Sequence, residues 1–289
     1  MKGTGRLYIV PTPIGNLEDM TLRGVRVLRE VERILAEDTR RTRILCDHYG
    51  VTTPVSRFDD NTAAKLLSGV LADLAAGRRI ALVSDAGTPG ISDPGPLLAR
   101  AARDLGVAVE ALPGATSVTT ALSGSGFPGE RFVFEGFLPR KGGERQRRLR
   151  GMTAEARTVI FFESPQRLAA TLDDLAALGA GSRAIVVARE LTKLHETLHR
   201  GTVAELAAFF HQQAARGEIV VVMEPGTRPL PAPEEVPVLL DEALASGMSL
   251  RDASRHLAPL TGLSASTLYG MGLERRKGEV DATRSGGER

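Results

Sequence analysis

The 289-residue chain has the composition of a folded globular protein. At roughly 100 to 200 residues per domain, this length predicts two domains, or two domains and a small appendage. Hydrophobic residues make up 42% and charged residues 25%, which excludes an intrinsically disordered chain. The net charge of +2 does not by itself indicate a nucleic-acid partner. One cysteine, Cys46, excludes an internal disulfide, and no apolar run suits a signal peptide or a membrane span, so we expect a cytoplasmic protein.

The N-terminal part alternates short β-branched runs with longer helical patterns. The predicted strands are 7–10, 34–36, 80–84 and 107–112, and the predicted helices are 21–31, 40–48, 96–105 and 116–122. Such alternation is typical of an α/β sheet with helices on its faces. We assign this first α/β domain to residues 1–123.

A glycine-containing linker at 123–131 leads to a second α/β domain, assigned to residues 124–228. Its predicted strands are 132–137, 158–162, 184–188 and 219–223, and its predicted helices are 166–178 and 203–215. Prolines punctuate 225–237 and predict a stiff connector without regular structure. Helical spacing at 238–245, 250–257 and 266–273 predicts a small helical module over 229–276, and the polar residues 277–289 predict a disordered tail.

Two literal motif matches lack the structural context that their chemistry needs. Gly124 to Gly129 matches the dinucleotide-binding pattern G-x-G-x-x-G, but a helix precedes it and a strand follows, so we interpret it as the linker. His195 to His199 matches the zinc motif H-E-x-x-H, but Gly201 follows at once and leaves no room for the long helix required. We therefore expect no bound metal.

Two loops at predicted strand ends have the residues of a ligand site. Residues 84–95 follow a strand and contain three glycines, two prolines and two aspartates, and residues 112–117 follow the next strand. In open α/β sheets ligands bind beyond the carboxyl ends of strands, where glycine lets the backbone approach closely. The alternative is a structural turn stabilised by Asp and Pro. No phosphate-binding G-x-x-x-x-G-K-[ST] pattern is present.

A pair of carboxylates and a basic stretch are the other candidates. Glu37 and Asp38 end a predicted strand beside Arg40 and Arg41, so a carboxylate here could act as a base and the guanidiniums could bind phosphate. The alternative is a helix N-cap formed by Asp38 or Thr39, and with Asp38 as the cap Glu37 is the preferred base and Asp38 the organiser. Residues 139–150 carry six basic side chains against one acidic, which suits either an RNA backbone or a solvated helix face.

Six segments together resemble one family. They are Tyr8–Leu17, Leu35–Arg40, Val83–Gly95, Phe162–Pro165, Arg189–Lys193 and Gly217–Glu218. In order and spacing they resemble the bacterial ribosomal RNA ribose 2'-O-methyltransferases that act on a cytidine of the small subunit, a branch of the tetrapyrrole methylase superfamily. The resemblance extends from about residue 7 to 277. It implies two α/β domains that clasp S-adenosylmethionine, a homodimer, and a helix-turn-helix-like extension in the C-terminal module.

The resemblance also implies particular site residues. The cofactor-binding set is Pro13, Ile14, Asp85, Gly87, Thr88, Ile91, Thr116, Ser117, Phe162, Glu163, Glu190 and Glu218. Gly87-Thr88-Pro89 stands where the superfamily has Gly-Asp-Pro, and we expect Asp85 to replace the missing carboxylate. The family does not indicate one base, so Glu37 and Asp38 rest on chemistry alone. The RNA-binding set combines the basic residues already described with one from the C-terminal module: Arg40, Arg140, Lys141, Arg145, Arg147, Arg148 and Arg255.

The predicted activity is methyl transfer from S-adenosylmethionine to the ribose 2'-hydroxyl of a cytidine in 16S ribosomal RNA, acting on the free RNA or on the 30S subunit. One alternative is a corrin or porphyrin C-methyltransferase with the same cofactor and architecture. The other, from a different class, is a non-catalytic RNA-binding protein associated with the ribosome. Binding of S-adenosylmethionine separates both enzymes from that last alternative.

Overall fold

The computed structural model describes residues 5–59, 61–91, 95–226 and 233–285, without the side chains of 259 and 276–285. Residues 92–94 of the predicted ligand loop, 227–232 of the predicted connector and 286–289 of the predicted tail lie outside this part. The chain divides into two compact units, Met1–Gly226 and Thr227–Arg289. None of the described helices combines the length and apolar character needed to cross a membrane.

The first sheet of the described chain is parallel and has helices on both faces. Its strands are β1 (Arg6–Ile9), β2 (Arg33–Ala36), β3 (Val55–Arg57), β4 (Arg79–Val83) and β5 (Ala108–Ala111), in the order β3-β2-β4-β1-β5. The helices are α1 (Leu22–Glu30), α2 (Thr39–His48), α3 (Ala63–Ala75), α4 (Gly95–Asp104) and α5 (Ser117–Ser125). One apolar cluster joins the sheet to α1 and α2, and another joins it to α3 and α4. Because all strands run the same way, their carboxyl ends share one edge.

The second sheet is mixed. Its strands are β6 (Phe132–Phe137), β7 (Thr158–Glu163), β8 (Ala184–Arg189), β9 (Thr197–Thr202) and β10 (Ile219–Met223), in the order β6-β7-β10-β8-β9. Only β6 and β7 pair in parallel; the other pairs are antiparallel. Its helices are α6 (Gly143–Ala154), α7 (Pro165–Leu175) and α8 (Val203–Gln212). An apolar cluster packs all three against one face of the sheet.

Helix α5 connects the two sheets. Its buried side chains Val118, Ala121 and Leu122 pack on the free face of the second sheet, in a cluster that also contains Ile14 and Leu191. Every strand of the first sheet precedes α5 and every strand of the second follows it. The second sheet therefore rests on the first half of the chain through one continuous core.

The C-terminal unit is a small helical module. It contains α9 (Val236–Ala245), α10 (Leu250–Thr261) and α11 (Ala265–Ser285). Ser249 caps α10, and Gly262 ends it in the left-handed conformation at φ 71°. Leu240, Leu250 and Leu268 are buried in its own apolar core.

The predicted α/β fold class with a C-terminal helical module is confirmed, and several local expectations were wrong or incomplete. Strands β3 and β9 and helices α3 and α6 were not among the predicted elements. Pro237, which was predicted to lie in a connector without regular structure, lies in the first turn of α9. Proline is tolerated at this position because the backbone N–H there needs no helical partner. Helix α11 continues to Ser285 where a disordered tail was predicted from 277, because Glu, Arg, Lys and Ala in this stretch are good helix formers that outweigh Gly278.

Candidate active site

A cavity of about 410 Å³ lies between the loops that follow strands of both sheets. From the first sheet it is lined by Ile14, Glu37, Arg41, Ser84, Asp85, Gly87, Thr88, Ile91, Thr116 and Ser117, and from the second by Phe162, Glu163, Leu191 and Glu218, among others. The structure thus brings together every predicted cofactor residue except Pro13 and Glu190. Pro13 lines an adjoining cavity of about 290 Å³ that shares Ile14 and Asp85 with the first.

The loop after β4 is held rigidly by its own hydrogen bonds. Gly87 exchanges two backbone hydrogen bonds with Thr12, at 2.9 and 3.0 Å. The hydroxyl of Ser84 donates to the carbonyl of Gly87 at 3.0 Å, and that of Thr12 donates to the carbonyl of Ser84 at 3.0 Å. Gly87 has φ +86°, a conformation that favours glycine. The loop therefore presents fixed backbone at the cavity wall.

Thr88 and Asp85 connect this loop to its neighbours. The hydroxyl of Thr88 donates to the carbonyl of Ala115 at 2.9 Å, which joins the loops after β4 and β5. Oδ1 of Asp85 accepts from the backbone N–H of Asp38 at 2.8 Å, and Oδ2 lies 3.9 Å from Nη1 of Arg41. Asp85 therefore fixes the start of α2, and its half-buried carboxylate also lines the cavity.

The two adjacent carboxylates after β2 have different environments. The N-cap predicted for Asp38 is confirmed: Oδ1 accepts from the backbone N–H of Arg40 at 2.8 Å. The guanidinium of Arg40 also donates from Nε and Nη2 to Asp38, at 3.2 and 2.9 Å. This side-chain bond, helped by the capping bond, lowers the pKa of Asp38 to about 2. Asp38 is therefore a poor proton acceptor, whereas Glu37 lines the cavity.

Glu163 lies at the end of β7 with its carboxylate completely buried. Oε1 accepts from Nε of Arg167 and from the N–H of Ser164, both at 2.7 Å, and Oε2 accepts from the hydroxyl of Thr171 at 2.7 Å. Because these bonds engage both carboxylate oxygens, Glu163 fixes the turn between β7 and α7. This turn follows Phe162, which lines the cavity.

Glu190 and Glu218 share one lysine. Nζ of Lys193 donates to Oε1 of Glu190 at 2.9 Å and to Oε2 of Glu218 at 3.1 Å. The bond from Lys193 lowers the pKa of Glu190. Glu190 and Thr192 both have positive φ, 53° and 65°, so the backbone of this turn is strained. The contacts around the turn hold it in this conformation. Glu218 lines the cavity, and Glu190 is linked to Glu218 through Lys193.

The basic stretch 139–150 leads into α6, and its arginines are not equivalent. Arg145 is 8% exposed, which contradicts the expectation of an open RNA contact. Its Nη2 donates to Thr171 at 3.0 Å and to Asp174 at 2.8 Å, because Arg145 lies on the face of α6 that packs against α7. Arg148 is half-buried and donates to Glu135. The side chains of Arg40, Arg140, Lys141, Arg147 and Arg255 are exposed.

The H-E-x-x-H match is not a helix. His199 belongs to strand β9, and His195 precedes that strand. In the part of the chain that the structure describes, no three His, Cys, Asp or Glu side chains group as metal ligands do. The expectation that this segment lacks the long helix required by the zinc motif is confirmed.

The RNA-binding set predicted from the sequence contains neither Arg41 nor Arg57. Arg41 lines the cavity beside Asp85, one residue after the arginine that was selected. Arg57 ends strand β3, which was not predicted. The sequence pattern that could have indicated this region is the Asp59-x-x-Thr62 turn that follows, which is typical of a helix start.

Residues 6–207 match the sequence family of Tetrapyrrole (Corrin/Porphyrin) Methylases. The chain belongs to this family. Among its relatives, the ribosomal RNA small subunit methyltransferase I of Synechocystis sp. is 45% identical over 273 residues, which cover 93% of this chain and 98% of the relative. The protein of the same name from Escherichia coli O157:H7 is 43% identical and covers 94% and 96%. That of Thermotoga maritima is 47% identical and covers 76% and 98%.

Solved structures show the same fold at low sequence identity. A cobalt precorrin-4 methyltransferase of cobalamin biosynthesis superposes with a TM-score of 0.60 at 18% identity, covering 76% of this chain and 94% of that one. The uroporphyrin-III C-methyltransferase of Thermus thermophilus, complexed with S-adenosylhomocysteine, gives a TM-score of 0.58 at 19% identity and covers 76% and 97%. These likenesses concern the fold.

Proposed function

We propose that this protein transfers a methyl group from S-adenosylmethionine to the ribose 2'-hydroxyl of a cytidine in 16S ribosomal RNA. The observation that carries the proposal is the cavity at the carboxyl ends of the first sheet, closed by the second sheet and bordered by Glu37. The relatives at 43–47% identity, named for methylation of small-subunit ribosomal RNA, favour this substrate over a corrin or porphyrin.

The cavity fits the cofactor in size and chemistry. Its volume of about 410 Å³ lies within the usual range of about 300 to 1,000 Å³ for small-molecule sites. Apolar walls from Ile14, Ile91 and Phe162 suit an adenine ring, and the fixed backbone at Gly87 permits close approach. When bound, S-adenosylmethionine supplies an electrophilic methyl group.

The chain's own residues then align and deprotonate the nucleophile. Transfer requires the 2'-oxygen to stand in line behind the methyl group, which is a matter of positioning. Glu37 accepts the hydroxyl proton as the 2'-oxygen attacks, and Asp38 holds α2 and Arg40 in place. The closed walls reduce competing water.

The RNA is held mainly through its phosphates. Exposed Arg140, Lys141, Arg147 and Arg255 form the phosphate contacts, and Arg145 supports α6 from inside. The family resemblance further supports a homodimer that works in the cytoplasm, without a metal ion.

Mapping of 2'-O-methyl groups on 16S ribosomal RNA tests the proposal. RNA incubated with the protein and S-adenosylmethionine should gain one 2'-O-methylcytidine, and RNA incubated with the Glu37→Gln variant should gain it far more slowly. Calorimetric titration with S-adenosylmethionine checks the cofactor. Binding of the cofactor with methylation of a tetrapyrrole instead of RNA would contradict the substrate, and absence of cofactor binding would contradict the enzyme.

A further inference from the structure

Another cavity, polar and about 530 Å³ in volume, adjoins the first site. It is lined by Glu37, Asp38, Thr39, Arg40, Arg57, Asp59 and Asn61. These residues follow the carboxyl ends of β2 and β3, which are neighbouring strands with Ala36 opposite Arg57. Glu37 lines both cavities. A group that occupies the polar cavity therefore reaches the same carboxylate as a ligand in the first one.

Two guanidiniums of this cavity are braced by carboxylates. Nε and Nη2 of Arg57 contact Oδ2 of Asp59 at 2.7 and 2.5 Å, and Arg40 binds Asp38 through the same two nitrogens. Asp59 is itself held by Thr62, whose N–H and hydroxyl donate to Oδ1 at 2.9 and 2.7 Å. Each carboxylate engages one edge of its guanidinium and leaves the other edge for an acceptor from outside.

The braced arginines remain accessible. The side chain of Arg57 is 64% exposed and that of Arg40 is 87% exposed, while that of Asp59 is 9% exposed. Bonds from Thr62, followed by that from Arg57, lower the pKa of Asp59, so the brace keeps its charge near neutral pH. The cavity thus offers fixed, solvent-facing donors beside the exposed amide of Asn61.

This donor set matches a nucleoside better than a bare phosphate or a tetrapyrrole ring. The arginine charges are already balanced by Asp38 and Asp59, so the cavity has little net attraction for a free anion. A pyrimidine edge combines N–H donors with carbonyl and ring-nitrogen acceptors, which arginine and amide side chains read by paired hydrogen bonds. The polar lining does not suit the apolar face of a macrocycle.

We propose that the polar cavity holds the target nucleoside of the RNA, with its ribose beside Glu37 and its base against Arg57 and Asn61. The proposal rests on the proposed function and adds two specificity-determining residues to it. The base must leave its stack to enter, as in other enzymes that act on a single nucleotide. The cofactor and the nucleoside then meet at Glu37, which lines both cavities.

The test compares Arg57→Gln and Asn61→Ala with the control Arg26→Gln. Arg26 lies on α1 and pairs with Glu30 at 3.2 Å, and its side chain is 60% exposed, which is close to the 64% of Arg57. Single-turnover methylation is measured against concentration for an RNA fragment with the target cytidine and for one with uridine in its place. Calorimetry measures S-adenosylmethionine affinity for each variant.

Both site variants should raise the RNA concentration for half-maximal rate about tenfold or more, the effect of losing one paired base contact. Asn61→Ala should also reduce the preference for cytidine over uridine by a similar factor. Cofactor affinity and the Arg26→Gln enzyme should be unchanged. Because Asn61 is exposed, its variant tests the cavity even if loss of Arg57 perturbs β3.

Wild-type concentration dependence and nucleotide preference in Asn61→Ala would overturn this assignment while leaving the proposed function intact. An unmodified protein that binds the cofactor yet methylates neither RNA fragment nor 16S RNA would overturn both. Equal loss in Arg26→Gln would show a general effect of surface charge, and that result also overturns the assignment.

Discussion

Replacing Gly87 with alanine tests the rigid loop after β4. At φ +86° an alanine costs about 1–2 kcal/mol of unfolding free energy, the usual penalty of the left-handed region. Its Cβ would lie 3.3 Å from Cγ2 of Ile14 and 3.6 Å from the carbonyl of Ala115. Because Ile14 lines the cavity, the methyl group tightens the cofactor wall itself. We expect S-adenosylmethionine affinity to fall at least about tenfold, equal to about 1.4 kcal/mol.

Gly106→Ala is the matched control. Gly106 follows α4 with φ +73°, and an added Cβ there meets no atom within 4 Å. Urea unfolding should show a similar loss of stability in both variants, and calorimetric titration should show weakened cofactor binding only in Gly87→Ala. Equal cofactor affinity in the two variants would refute the placement of the cofactor against this loop.

Three further predictions concern charged residues. Glu37→Gln should slow single-turnover methylation about 100-fold or more with unchanged cofactor affinity, and a normal rate would place the base elsewhere. Asp38 has its folded-state pKa lowered from 3.8 to about 2, so its charge stabilises the fold above about pH 4 and loses this effect toward pH 2. The stability difference between wild type and Asp38→Asn, measured by urea unfolding, should therefore be constant near neutrality and shrink between these values; a constant difference down to pH 2 would contradict the lowered pKa. Arg145→Ala should cost about 3 kcal/mol, because it removes a buried guanidinium together with its hydrogen bonds to Thr171 and Asp174. Arg147→Ala on the same helix should change stability by less than about 0.5 kcal/mol, and similar losses in the two variants would contradict the burial of Arg145.

The strongest strands and the loops that line the cavity could be predicted from local pattern. Strands β6 and β10 have the predicted bounds, because each is a β-branched or aromatic run between turn residues. The loops after β4 and β5 were recognised because glycine, proline and aspartate concentrate at strand ends. The cap at Asp38 followed from residue type and position alone.

Other features depend on packing that local pattern does not contain. Strand β3 has three residues, none of them buried, so it has no hydrophobic signal, and α3 begins without a side-chain cap. The burial of Arg145 depends on Thr171 and Asp174, which are close only after α6 and α7 pack together. Sequence reasoning treated all charges of the stretch alike because composition does not distinguish the two faces of a helix.

The packing of α5 against the second sheet makes residues of both sheets one cooperative unit. Its buried cluster contains residues from both halves, including Ile14, Val118, Ile160 and Val220, so separating the sheets would expose this apolar surface to water. Heat should therefore melt the two sheets in a single transition. A ligand bound at their seam raises the free energy of unfolding of both together, by an amount that grows with the logarithm of its concentration. Occupancy of the cavity thus sets the stability of the whole two-sheet unit.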